Sequence, residues 1–174
     1  MTRATRRFGA RHLAAATTFL TFLLILLGVY TAATGAGLAC SGQWPACDGG
    51  LLPQTIPSFI EWFHRFVAMI AGFAILGTAV ALWRSYDETR IRGAGVLALV
   101  ATPLQVLLGG ATVIQYTPVV QTAHHGVAML IFGSLLAGTL WAFEASSRAA
   151  EAETEADVES VDAAGPGPRA GRGD

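Results

Sequence analysis

Apolar residues fall in four long blocks separated by short polar segments. The blocks run at about residues 13–34, 59–83, 93–114 and 118–143. At about 1.5 Å rise per residue, a helix of each block crosses a hydrocarbon layer about 30 Å thick. Lipid offers backbone N–H and C=O groups no partners, and a helix satisfies them internally. The pattern therefore predicts an all-α membrane protein, a four-transmembrane-helix bundle. The first block is expected to be a span rather than a cleaved signal, because three further spans follow it. Pro103 predicts a kink in the third span. Glycines at 72, 77, 93, 95, 109, 110, 126, 133 and 138 predict close helix packing, or room for a flat ligand.

Arginine placement orients the bundle. Arg3, Arg6, Arg7 and Arg11 precede the first block, Arg84, Arg90 and Arg92 lie between the second and third, and Arg148 follows the fourth. The connections 35–58 and 115–117 hold no arginine. The excess of positive charge on cytoplasmic loops then places both termini in the cytoplasm and the two arginine-free connections outside. The expected organisation is a basic cytoplasmic N-terminus at 1–12, a bundle at 13–143 with an outer loop at 35–58, and a cytoplasmic tail at 144–174. A multi-pass location in the cell membrane follows, with no nucleic-acid partner.

Composition sharpens this picture. Only 13% of the 174 residues are charged and 53% are hydrophobic, against about 25% charged in an ordinary soluble domain. A soluble enzyme is excluded. The net charge of -1 is a cancellation: +4 over residues 1–143 and -5 over 144–174. The tail alternates small and acidic residues and ends Gly/Pro-rich, so it is expected to be disordered, with some helix continuing past Phe143.

Within the four blocks only Glu61 and Arg65 are formally charged. Glu61, His64 and Arg65 stand three and four residues apart and share a helix face. Ionisable groups inside a span are costly and usually face the bundle interior. A simple ion pair with a bystander histidine is the plain alternative. The fourth span carries His124 and His125, and adjacent helical residues point about 100° apart, so one of them shares the inward side with His64. His64 lies five residues after Phe59 and His124 six after Pro118. Both rings therefore sit roughly 8–9 Å below the outer ends of their helices. Two imidazoles at one depth on two helices predict a bis-His haem site. A metal site completed by Glu61 ranks second, since zinc prefers more ligands. Gln105, Gln115 and Thr112 add polar groups to the third span and its outer end. Cys40 and Cys47 lie in the outer loop with Gly42, Pro45 and Gly49 as turn formers. An oxidising face and a matched pair predict a disulfide, read first as a loop staple and second as a redox relay.

These residues resemble a known family, the haem A synthases, which convert haem O to haem A for terminal oxidases. The resemblance covers about residues 20–140. It rests on Gly28-Val-Tyr-Thr31 through Gly37-Leu38, on the paired-cysteine loop around Trp44-Pro45, and on Glu61-Trp-Phe-His64-Arg65. Gln105 through Gly109-Gly110-Ala-Thr112-Val113, with Pro118 and the fourth-span histidine, completes it. The resemblance implies His64 and His124 as axial ligands of haem iron, with His125 as the alternative, and Glu61 as the catalytic carboxylate. Glu61 would stabilise charge on the oxidised methyl carbon or accept its proton. Arg65 would neutralise Glu61 or bind a haem propionate. It further implies haem b as cofactor and haem O as substrate. Haem O synthase and the terminal oxidase pathway would then be partners. The competing function is a bis-His b-type cytochrome that carries electrons without modifying haem. Departures are Ala32 and Ala36, where the family usually has Arg and Ser nearby. The usual member has eight helices in two related halves, and this chain resembles the catalytic half, so a homo-oligomer is expected.

Overall fold

The computed structural model describes residues 3–40, 42–50 and 52–164. Four helices are long and apolar enough to cross a membrane: α1 (Arg3–Ala33), α2 (Ile56–Ser85), α3 (Thr89–Ile114) and α4 (Pro118–Ala164). A short 3₁₀ turn, Ala36–Leu38, follows α1. This is a multi-pass membrane protein by the length and composition of its helices. Each helix packs on its two sequence neighbours, and α4 closes the ring against α1. The large side chains Phe19, Phe73, Val100, Leu107 and Leu140 stay exposed around the outside. In water such a surface would be an aggregation hazard; in lipid it is the solvated face.

Local signals set the helix ends. Gly35 reverses the chain after α1 at φ 71°, a conformation that favours glycine. Thr55 caps α2 by accepting the Ser58 N–H at 3.2 Å, with Pro57 in the first turn where no donor is needed. α3 continues unbroken through Pro103.

The arginine-rich end of the bundle is tied by Tyr86, which is fully buried. Its hydroxyl donates to the Arg7 carbonyl at 3.1 Å and meets the Ser146 hydroxyl at 3.0 Å, joining the end of α2 to α1 and α4. Burial pushes the phenol pKa up, keeping it a neutral donor. Further in, Thr17 bonds Thr78 at 2.8 Å and Thr18 bonds Thr139 at 3.0 Å. Ile75, Ala98, Ile131 and Leu135 fill the middle. A Cβ at Gly138 would stand 3.1 Å from the Ala94 methyl, so glycine there sets the approach of α4 to α3.

The first and last helices run past the apolar blocks at both ends of the chain. The basic segment before residue 13 is already helical from Arg3. The tail, expected to be disordered over 144–174 with some helix past Phe143, continues α4 as far as Ala164; residues 165–174 lie outside the described residues. The physical reason is shared. Extending an existing helix carries no nucleation penalty, and the Ala/Glu-rich stretch consists largely of strong helix formers. Glu144 adds ion pairs to Arg90 at 3.0 Å and Arg148 at 3.5 Å.

Candidate functional site

The opposite end of the bundle carries the loop between α1 and α2 and the ionisable groups of the spans. Glu61 is 5% exposed. Its Oε1 accepts from Arg65 Nε at 2.8 Å, one helical turn later. Arg65 does not stop there. Its Nη1 donates to three loop carbonyls, of Gln43 at 3.2 Å, Pro45 at 3.1 Å and Ala46 at 2.9 Å. The guanidinium therefore ties the loop to the buried carboxylate. Of the two roles expected for Arg65, the structure assigns these bonds to Glu61 and the loop; Nη2 alone is buried without a partner.

The loop is knitted internally. Cys40 and Cys47 form a disulfide and both are buried. Cys47 and Gly50 exchange backbone bonds of 3.2 and 2.9 Å, and the Gln43 side chain accepts from Gly49 N–H at 2.7 Å. The Trp44 ring then lies against α3: a Cβ at Gly110 would meet its Cδ2 at 3.4 Å. Loop, arginine and carboxylate thus form one connected unit above the histidines.

His64 and His124 lie within electrostatic range of one another. His64 packs against α1, where a Cβ on Gly28 would stand 3.0 Å from its Cε1. His124 packs against α3, where a Cβ on Gly109 would stand 3.2 Å from its Cε1. Gln105 donates its amide N–H to His124 Nε2 at 3.3 Å. His125 turns along its own helix instead, with Nδ1 donating to the Gln121 carbonyl at 2.9 Å. The Glu61-x-x-His64-Arg65 pattern on α2 is thus answered by Gln121-x-x-His124-His125 on α4, and Gly28 on α1 by Gly109 on α3.

Buried polar atoms normally find a partner. Here Nδ1 of His64, Nδ1 of His124, Oε1 of Gln105 and Nη2 of Arg65 are all buried without one. Among the described residues, no group of three or more His, Cys, Asp or Glu side chains is placed to share a metal ion. The donor set is two imidazoles with unpartnered nitrogens, each backed by a glycine. That set fits a haem with two axial histidines, the flat group for which glycine leaves room.

Sequence reading did not single out Gly28 and Gly109 as ring supports, nor the seating of Trp44 on Gly110. Those contacts run between helices, and a glycine in a span looks alike whether it faces a ring or lipid. We expect Gly28→Val and Gly109→Val each to displace an imidazole and lower haem content, read in the reduced-minus-oxidised spectrum of purified protein. Gly72→Val, where a Cβ meets nothing within 4 Å, should leave that spectrum unchanged.

The sequence pattern of the cytochrome oxidase assembly protein family matches residues 57–163, which include Glu61, His64, Arg65 and His124. The heme A synthase of Bacillus licheniformis is 34% identical over 135 residues, covering 76% of this chain and 45% of that protein. That of Bacillus pumilus is 33% identical over 146 residues, covering 80% and 47%. The chain belongs to the haem A synthase family. It spans about half the length of these haem A synthases. The protoheme IX farnesyltransferase of Halobacterium salinarum is also similar, at 34% identity over 128 residues, covering 72% of this chain and 29% of that protein. The family pattern runs past residue 143, into the helical stretch of α4 beyond the fourth apolar block.

Proposed function

We propose that this chain oxidises the methyl group of haem O to a formyl group by successive hydroxylations, as a haem A synthase. The observation that carries the reading is the group of unpartnered buried atoms on His64, His124, Gln105 and Arg65, set beside the buried carboxylate of Glu61. His64 and His124 would hold haem iron as axial ligands, with His125 engaged by Gln121. Bound haem b would supply an iron centre able to pass electrons one at a time. Glu61 is the catalytic carboxylate: it stabilises positive charge developing on the oxidised carbon or takes up its proton. Arg65 holds that carboxylate in place.

The cell membrane is the proposed location, with both termini in the cytoplasm, because the arginine-rich ends of the helices share one end of the bundle. Similarity to part of a protoheme IX farnesyltransferase supports a place beside an enzyme that farnesylates haem and so supplies haem O. A b-type cytochrome is the weaker reading, since electron transfer needs no carboxylate one helical turn from a ligand.

Co-expression with a haem O source, followed by chromatography of the extracted haems, tests the proposal. Haem A and its hydroxylated intermediate are expected. A folded, haem-loaded protein that yields neither would overturn it.

A further inference from the structure

Six of the eight described arginine side chains are engaged. Arg7 donates to the Ser85 carbonyl at 3.2 Å and lies over the Tyr86 ring. Arg11 stacks on Phe143, Arg65 pairs with Glu61, Arg92 pairs with Asp87, and Arg90 and Arg148 pair with Glu144. Among the described side chains, Arg6 and Arg84 stand apart: both are exposed, and no acid, carbonyl or ring meets either guanidinium. These two line one and the same groove, between the start of α1 and the end of α2, at the arginine-rich end of the bundle. The groove measures about 550 Å³. Beyond the two arginines, Thr5 and Ser85 line its polar end, and Gly9, Leu13, Gly77 and Val80 give it small and apolar walls.

We propose that this groove binds one phospholipid with a net-negative headgroup. Two cations converge where a span meets the headgroup layer, and neither is neutralised by the protein. A lipid phosphate between Arg6 and Arg84 supplies the missing anion. Gly9 and Gly77 lower the groove walls, and Leu13 and Val80 offer an apolar path along which the first acyl carbons lie. Basic pockets between helices at the membrane surface recognise anionic headgroups by this combination of charge and apolar depth. Arg84 also sits in the last turn of α2, whose negative dipole end holds the side chain's charge near the site. The proposal is independent of the chemistry at the other end of the bundle.

Native mass spectrometry of the full chain, stripped of lipid and titrated with phosphatidylglycerol or phosphatidylcholine, tests it. One phosphatidylglycerol should bind with clear preference over phosphatidylcholine. The double variant Arg6→Gln/Arg84→Gln should weaken that binding about 30-fold, the effect of two surface cations on an anionic lipid. Arg90→Gln/Arg148→Gln, which removes two arginines already paired with Glu144, should bind like the parent. Unchanged helical circular dichroism and melting establish that the variants are folded; should the glutamine pair not fold, Arg6→Lys/Arg84→Lys retains the charge and should bind. Equal binding of the two lipids overturns the proposal, as does phosphatidylglycerol binding that survives loss of both arginines in a folded protein.

Discussion

Glu61→Ala is expected to leave haem bound and to abolish the formyl product. The carboxylate touches neither imidazole in the structure; its partner is Arg65 at 2.8 Å. Removing it should therefore spare the axial ligands and their spectrum. A general acid–base or charge-stabilising group contributes typically about 100- to 10,000-fold to a rate, so product formation should fall by about that much. The alanine variant also leaves Arg65 without its acid in a buried setting, which destabilises by a separate route. Glu61→Gln separates the two effects. It keeps an acceptor for Arg65 Nε and the fixed position of the loop, but it can neither carry the negative charge nor accept a proton. Haem retention with lost turnover in both variants supports a catalytic carboxylate. Full turnover in Glu61→Gln would reduce Glu61 to a strut, and loss of haem in both would make it part of the binding site. The readouts are the extracted haem profile for chemistry and the visible spectrum for occupancy.

His64→Ala and His124→Ala should each remove the low-spin bis-His absorption, whereas His125→Ala should keep it. Even altering a group that only supports a metal ligand reduces affinity by about 10- to 100-fold; deleting the ligand itself should lower haem retention by at least about that factor. The prediction for His125 rests on geometry. Its Nδ1 donates to the Gln121 carbonyl at 2.9 Å, with the Gln121 amide 3.2 Å away, both contacts along its own helix. His124 instead meets Gln105 and Gly109 across the helix interface. If the low-spin signal vanished in His125→Ala and survived in His124→Ala, the ligand choice would be reversed.

The spans were legible because an apolar block of this length in the near absence of charge has one physical solution in lipid. The grouping of Glu61, His64 and Arg65 was legible because three- and four-residue spacing is itself a statement about a helix face. The reach of Arg65 to carbonyls about twenty residues earlier in the chain was not legible. Every residue has a carbonyl, and only the folded loop shows which of them turn toward the guanidinium. How far the helix runs into the tail was hidden for a different reason. Its composition is that of a chain unable to build a core, but continuation of a helix already anchored in the bundle needs no core of its own. The glycines that support the rings were hidden among glycines that touch nothing, such as Gly72 and Gly126.

The matched patterns on the two helical hairpins have a consequence for how a planar molecule is read. Were they identical, a flat macrocycle clasped between His64 and His124 would meet the same surroundings after a half turn, and the site would not tell its edges apart. The match is broken at two rungs: Glu61 stands three residues before His64 where the neutral Gln121 stands three before His124, and Arg65 follows His64 where His125 follows His124. One flank of the site carries a carboxylate paired with an arginine, and the other carries neither. A haem whose reacting methyl must meet a carboxylate then has one productive way to enter, and a single acid in a near-symmetric frame serves as its compass.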